Sequence, residues 1–222
     1  DNGMAPYISY ATSFDPEVGA DIDGNALKPT EGEQWEAGIK YQPDGFNGFF
    51  TAAIFRIDQT NVSASVSENG VSGLRQIGEV RSEGLELEAN VSLIDGWNLH
   101  GAYTYNKTEQ KNGDNPGAEM PNAPEHFASL WATKAFDGSL AGLTLGGGVR
   151  YIGDRFGDAA NNFALDEVVL VDLLAEYEIT ENMHLALNVT NLGDQAYVAN
   201  CGSFGCYYGD GRTVQARLTY KW

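Results

Sequence analysis

The amino-acid sequence predicts an all-β fold, a transmembrane antiparallel up-and-down β-barrel. The prediction rests on the lengths of the connections, the alternation of apolar and polar residues, and the position of the aromatic residues near strand ends. Short turns and long polar loops alternate along the chain, and the segments between them are about ten residues long. If consecutive segments are antiparallel strands, all short turns lie at one end and all long loops at the other. Membrane-spanning barrels have this asymmetry.

The two kinds of connection are easily told apart by length. The short turns are residues 43–45, 95–96, 136–142 and 180–182. The long polar loops are residues 15–31, 59–74, 107–124, 152–167 and 193–212. A soluble β-sandwich has no reason to sort its loops by length in this way, so the pattern favours a barrel.

About ten strands are predicted between these connections, from the two-residue period of a strand. The alternation is regular in residues 35–41, 84–93, 183–189 and 214–222. Residues 126–136 and 168–177 carry apolar residues on both faces and are ambiguous. The predicted strands begin near Tyr7, Gln34, Phe46, Arg75, Trp97, His126, Leu143, Val168, Met183 and Thr213.

The composition limits the function. The 222 residues carry 13 basic and 31 acidic side chains, a net charge of −18, so a nucleic-acid partner is not expected. No stretch approaches the roughly 20 apolar residues of a spanning helix, which leaves barrels as the membrane class. A barrel must be exported, and no signal peptide is recognised, so the chain is expected to be a mature form or a fragment.

Alternation alone does not say whether the apolar face meets lipid or a protein core. The opposite face carries charged residues such as Glu86 and Glu88, as a wet lumen would tolerate. The strand-end aromatic residues suit interfacial girdles, and the chain ends on an alternating strand with Trp222. We therefore expect a lipid-facing set. Its members are Leu85, Leu87, Val91, Leu218 and Tyr220. The alternative is a soluble sandwich or lipocalin-like barrel.

Few residues suggest catalysis or metal binding. His126 is expected at the long-loop end with Glu125 beside it, whereas His100 and His184 lie near the short-turn end, so the three histidines do not form one site. Residues 21–25 resemble a calcium loop, but the glycine comes too early, and a solvated acidic loop is expected. We therefore predict no catalytic residues, no metal site and no enzymatic activity.

Both cysteines of the chain, Cys201 and Cys206, lie in the last long loop. A metal site would need further ligands nearby, and no histidine is close in sequence. A disulfide is expected, with Cα atoms within the usual 4.4–6.8 Å. Its small ring should organise the loop more than it stabilises the barrel.

Read together, five segments resemble the C-terminal part of a TonB-dependent ferric-siderophore receptor of the ferric-hydroxamate, or ferrichrome-like, kind. They are residues 27–40, 78–88, 143–151, 188–197 and 201–212, the last including Tyr207-Tyr208-Gly209. Each is weak alone, but they occur in the family's order and span almost the whole chain. Gly193 departs from the pattern, because the family usually has an aromatic residue after Asn-Leu.

The resemblance implies a barrel of about 22 strands occluded by an N-terminal plug. Residues 1–222 would be its C-terminal barrel portion, with the plug and the energy-coupling segment outside this chain. The implied location is the bacterial outer membrane, surrounded by lipid and lipopolysaccharide. The implied function is TonB-dependent uptake, with a ferric siderophore as the transported ligand, no covalent cofactor, and the TonB complex engaged through the absent N-terminal part.

The resemblance also implies a ligand-binding region. An aromatic residue of the stapled last loop approaches the chelate in hydroxamate receptors, so Phe204, Tyr207 and Tyr208 are the candidates here. These residues could instead pack the loop itself or join the outer girdle. The alternative function is a passive diffusion porin or a small closed outer-membrane barrel.

Overall fold

The computed structural model describes residues 2–202 and 204–222. Two single-turn 3₁₀ helices, Ile94–Gly96 and Gly138–Leu140, interrupt the strands within that part of the chain. The strands are β1 (Met4–Asp15), β2 (Thr30–Tyr41), β3 (Gly48–Thr60), β4 (Ser63–Glu68), β5 (Val71–Gln76), β6 (Val80–Ser92), β7 (Trp97–Gln110), β8 (His126–Ala135), β9 (Leu143–Ile152), β10 (Arg155–Phe156), β11 (Ala164–Leu165), β12 (Val168–Thr180), β13 (Met183–Thr190), β14 (Val198–Gly202), β15 (Gly205–Tyr208) and β16 (Thr213–Tyr220).

Ten of these strands form one antiparallel sheet in the order β1-β2-β3-β6-β7-β8-β9-β12-β13-β16. Every neighbour in the sheet is therefore the next long strand along the chain, which is the up-and-down arrangement that the sequence predicts. The sheet is not closed, because β1 and β16 lie at its two edges. No helix in the described part of the chain has the length and apolarity to cross a membrane.

Six short strands lie outside the sheet and pair in three hairpins, β4–β5, β10–β11 and β14–β15. One predicted strand start is wrong for this reason: Arg75 belongs to β5, and the long strand begins at Val80. Between them Gly78 has φ +91°, where a Cβ would meet the Asn112 side chain at 2.1 Å. The chain leaves the short hairpin there, and the sequence carries no local signal that separates β5 from β6.

The two faces of the sheet follow from the cross-strand register. Leu85 is paired with Ile54 on β3 and Tyr105 on β7, whereas Glu86 lies between Ala53 and Thr104. All predicted lipid-facing residues fall on the face of Leu85, and Glu86 and Glu88 on the other. We call the face of Leu85 the outer face and the opposite face the inner face.

Aromatic residues form two belts on the outer face. Near the long-loop end Tyr10 and Trp35 have ring centroids 4.7 Å apart. Near the short-turn end Phe50 lies 6.3 Å from Tyr41 and 6.2 Å from Phe46. Two belts separated by aliphatic residues are typical of a surface that crosses a bilayer, with amphipathic rings at both interfaces.

The contacts of the inner face explain why residues 168–177 carry apolar residues on both faces. In β12, Val168 and Leu170 are 3% and 1% exposed on this face, next to the last long loop, whose residue Leu192 donates its backbone N–H to Val171. In the same strand Asp172 forms a bidentate ion pair with Arg150, with N–O distances of 2.6 and 3.1 Å. The apolar residues of β12 on the inner face therefore lie beside a loop near the rim and do not form a second lipid surface.

Candidate functional site

The long loops lie at one end of the sheet and fold over its inner face. We name them L1 (16–29), L2 (61–79), L3 (111–125), L4 (153–167) and L5 (191–212). A small core lies beneath them, where Val80 of β6 packs with Ile77 of L2 and Ala159 of L4. The neighbouring Gln110 is fully buried, and its side chain donates to the Ala159 carbonyl at 2.7 Å. Because the loops cover the polar face, that face is the lumen side.

Reciprocal side-chain amide bonds join the loops to one another. Gln76 of L2 accepts from the Lys28 backbone N–H at 3.1 Å and donates to its carbonyl at 2.7 Å. Asn161 of L4 does the same with Glu119 of L3, at 2.6 and 3.0 Å. Asn122 of L3 does the same with Cys201 of L5, at 2.7 and 2.8 Å. In each clamp the side-chain amide bonds a backbone N–H and carbonyl as a neighbouring strand would. Asn112 of L3 also accepts from the Glu79 N–H of L2 at 2.7 Å, so the loops form one hydrogen-bonded wall.

An ion cluster joins the tips of L1, L2 and L3. The Arg75 guanidinium lies 3.3 Å from Asp23 and 3.2 Å from Asp114, and it also bonds Glu68. The bond with Glu68 is the main reason that the pKa of Arg75 is raised. Because three carboxylates surround one guanidinium, the cluster carries a net negative charge, and solvent screens the interactions between its members.

The predicted acidic loop at residues 21–25 is a tight turn. Asp21 accepts from the backbone N–H groups of Asp23 and Asn25, at 3.0 and 2.8 Å. Bonds from Asn25 lower the pKa of the Asp21 carboxyl. No group of three or more potential ligands that could hold a metal ion occurs within the described residues. The carboxylate thus caps its own turn, in keeping with a solvated loop.

The last loop carries the predicted ligand-binding residues on a two-stranded hairpin, β14–β15. Cys201 and Cys206 are directly opposite one another and form a disulfide, with Cα atoms 3.9 Å apart, closer than the range expected above. Phe204, Tyr207 and Tyr208 are 88%, 56% and 77% exposed. Three large aromatic side chains are therefore presented to solvent on a small stapled unit.

Two residues that the sequence did not single out hold this hairpin. Asn122 bonds the Cys201 backbone, and Arg155 of L4 donates to the carbonyls of Val198 and Ala199. Arg155 is 4% exposed, and burial lowers the pKa of its guanidinium. Their loop positions carry no periodic signal, and Asn and Arg are common in polar loops. Only the fold shows what they contact.

A groove of about 330 Å³ lies at the foot of the hairpin, between L4 and L5. Its lining includes Phe163, Tyr197 and Tyr208. Tyr197 packs so closely on Gly209 that a Cβ there would lie 2.0 Å from the ring. The groove is therefore a shaped, partly aromatic surface beside the exposed residues. A larger depression of about 470 Å³ is lined by Ala52, Leu87 and other residues of the outer face, away from the loops.

The histidines do not form a common site. His126 Nδ1 lies 2.9 Å from the Tyr103 hydroxyl on the outer face, near the long-loop end. His100 Nδ1 lies 2.6 Å from the Asn90 side chain on the inner face, near the short turns. His184 is the second residue of β13, directly after another short turn. Their placement agrees with the prediction from sequence.

Comparison with known proteins identifies similar chains. A family model described as TonB dependent receptor-like, beta-barrel, matches residues 1–192. The Ferrioxamine B receptor of Salmonella typhimurium (strain SL1344) is 41% identical over 228 residues, covering 99% of this chain and 32% of that protein. The Ferrichrome outer membrane transporter/phage receptor of Escherichia coli (strain K12) is 38% identical over 228 residues, covering 100% and 30%.

A solved structure has the same fold. The siderophore receptor PiuA from Acinetobacter baumannii superposes with a TM-score of 0.78 at 29% identity, covering 99% of this chain and 34% of that one. The chain therefore spans about a third of the length of the proteins that it matches. These relatives are named as receptors or transporters and not as enzymes.

Proposed function

The chain belongs to the family of TonB-dependent receptor β-barrels, and from this membership we propose that residues 1–222 form the C-terminal barrel portion of an outer-membrane siderophore receptor. The receptor would take up a ferric siderophore of the hydroxamate kind in a TonB-dependent way. The names of the two similar receptors, for ferrioxamine B and ferrichrome, support this class of ligand.

The observation that carries the proposal is the stapled aromatic hairpin above a loop-lined lumen. A ferric chelate needs a concave, partly apolar surface with few fixed polar contacts. The groove between L4 and L5, which Tyr208 lines, is such a surface. Phe204 and Tyr207 are exposed on the same hairpin, which is fixed to the loop wall. We propose that at least one of these aromatic side chains contacts the chelate.

The partners follow from the two faces and the two edges. The aliphatic outer face with its aromatic belts would be surrounded by outer-membrane lipid and lipopolysaccharide. The edge strands β1 and β16 would pair with further strands, since hydrocarbon does not tolerate unpaired backbone groups. A plug would fill the lumen, and the TonB complex would act through an N-terminal part outside residues 1–222. No covalent cofactor and no nucleic acid are proposed.

Uptake of labelled iron tests this function. The full-length receptor that contains this chain is expressed in iron-starved cells that lack other siderophore receptors, with and without TonB. We expect iron-55 uptake from ferrioxamine B or ferrichrome, lost without TonB. TonB-independent uptake, together with swelling of receptor-containing liposomes in small sugars, would instead favour a diffusion porin. Absence of uptake from both chelates would contradict the hydroxamate class.

A further inference from the structure

In the hairpin of L5, one strand is anchored to other loops and the opposite strand carries exposed aromatic residues. The anchored strand is β14, where Asn122 and Arg155 bond the backbone of Cys201, Val198 and Ala199. The opposite strand carries Tyr207 and Tyr208, which are 56% and 77% exposed. The disulfide joins the two strands at directly opposite positions. The position of the aromatic residues therefore depends on how firmly β14 is held, as well as on the contact between Tyr197 and Gly209 at the foot of the hairpin.

The Asn122 side chain makes the most direct of these contacts. Its amide satisfies both the N–H and the carbonyl of Cys201, at 2.7 and 2.8 Å, as a neighbouring strand would. Its own backbone N–H donates to the Phe156 carbonyl at 2.7 Å, which fixes L3 on L4. The Asn122 backbone has φ +61°, a conformation that Asn tolerates better than most residues. Asparagine thus suits this position in two ways: its side chain bonds Cys201, and its backbone tolerates the positive φ.

Loop L4 leaves little space for Cys201 to move. At Gly157 of L4 an added Cβ would lie 2.8 Å from the Cys201 sulfur. L4 therefore packs against the disulfide from one side, while Asn122 bonds the strand edge. Phe204 lies at the far end of the hairpin and is 88% exposed.

We infer that Asn122 is a positioning residue for ligand binding: it holds Cys201, and through the disulfide it fixes the aromatic strand of the hairpin. This inference rests on the proposed function for the identity of the ligand. The physical reason is preorganisation, because side chains that are ordered before binding lose less conformational entropy when the ligand arrives. Without the amide clamp, the stapled hairpin stays intact but moves as a unit relative to the loop wall.

The chain offers a matched control for this residue. Asn161 also has a left-handed backbone, with φ +56°, and also makes a reciprocal amide clamp, but its partner is Glu119. Substitution by glycine suits the backbone at both positions, because glycine adopts positive φ freely. Asn122→Gly and Asn161→Gly therefore each remove a reciprocal pair of bonds, at the hairpin and away from it. Asn161→Gly also removes a donation to the Asp158 carbonyl at 3.3 Å, so the control loses at least as many bonds.

The experiment compares both variants with the wild type in the full-length receptor. Titration with ferric ferrioxamine B and with ferrichrome gives Kd, thermal melting gives stability, and a phosphine reductant gives the rate of disulfide reduction. We expect Asn122→Gly to bind about tenfold more weakly and to be reduced faster, with unchanged melting. Asn161→Gly should keep the wild-type Kd. Asn122→Asp keeps the acceptor for the Cys201 N–H but sets a carboxylate oxygen against the Cys201 carbonyl, so it should also bind more weakly than the wild type.

The outcomes separate the inference from the proposed function. Equal Kd values for Asn122→Gly and wild type, or an equal loss in Asn161→Gly, overturn the positioning role. If Asn122→Gly does not fold, the Asn122→Asp variant decides in the same way. A wild-type receptor that binds neither chelate contradicts the proposed function instead. In that case, an unchanged reduction rate in Asn122→Gly shows that Asn122 does not hold the hairpin, and a faster rate supports the anchoring.

Discussion

Trp131 of β8 lies directly against Gly148 of β9 on the inner face, where an added Cβ at Gly148 would be 2.1 Å from the indole Cε3. The same Cβ would lie 2.9 Å from the Leu130 carbonyl oxygen. The glycine therefore makes room for the large indole ring on the inner face. This contact explains why β8 carries an aromatic residue on the face that otherwise faces the lumen.

Substitution of Gly148 by alanine should destabilise the barrel, because the indole and a backbone carbonyl must both move. Overpacking of this kind costs about 1–3 kcal/mol. The matched control is Gly147→Ala on the outer face, whose Cβ would meet the flexible end of Leu173 at 3.2 Å. Thermal melting of the full-length receptor in detergent measures both. Equal melting temperatures for the two variants would show that the Trp131 contact is unimportant.

An arginine on each face of β13 tests the assignment of lipid and lumen. Leu187 pairs with Ala175 and Ala216 on the outer face, whereas the next residue, Asn188, points to the inner face. Leu187→Arg should lower the free energy of unfolding of the bilayer-inserted barrel by about 2–4 kcal/mol, as for a charge near the bilayer midplane. Asn188→Arg should cost much less. Reversal of the two costs, measured by folding into lipid vesicles, would reverse the faces.

The disulfide of L5 should matter for binding more than for stability. The two cysteines are 5 positions apart in sequence, so the ring is smaller than the 15-residue loop for which about 3 kcal/mol is expected. Replacing both Cys201 and Cys206 by serine should weaken binding of ferrioxamine B or ferrichrome and leave barrel melting nearly unchanged. Unaltered affinity in the titration would leave the disulfide a protection against proteolysis of the loop.

Glu119 of L3 should make loop stability depend on pH. Burial raises the pKa of Glu119, and the carboxylates of Glu125 and Asp154 raise it further. The folded state therefore binds the proton more tightly than the unfolded chain, whose ordinary value is 4.5. Stability should rise as the pH falls through the raised pKa toward that value, and it should be lost again as the pH rises.

The variant Glu119→Gln removes this titration. The stability of the packing of L3 on L4 should then depend less on pH, and it should be higher than in the wild type at neutral pH. Hydrogen exchange of the backbone N–H groups near Glu119, measured from pH 4.5 to 8, reports it. An exposed glutamate at the opposite end of the sheet, Glu181, provides the control variant Glu181→Gln. The same pH profile in Glu119→Gln and wild type would exclude the effect.

Local patterns of residues were sufficient to predict the ten-stranded up-and-down sheet and its two faces. The starts of β7 and β13 agree with those predicted, because the Asp95-Gly96 turn and the two-residue period of residues 183–189 are local signals. Asp95 and Gly96 have φ values of +60° and +75°, which suit a tight hairpin. One face of such a strand must be apolar over its whole length, so a slip of one residue would be costly.

The arrangement of the loops, in contrast, is visible only in the folded chain. Hairpins such as β4–β5 are short, and their pairing misled the prediction at Arg75. The clamp between Asn122 and Cys201 joins residues 79 positions apart. No local pattern encodes such a contact, because a side-chain amide can bond any backbone that the fold brings within reach. Residue types therefore predicted the barrel wall, and long-range packing alone placed the anchored hairpin above its lumen.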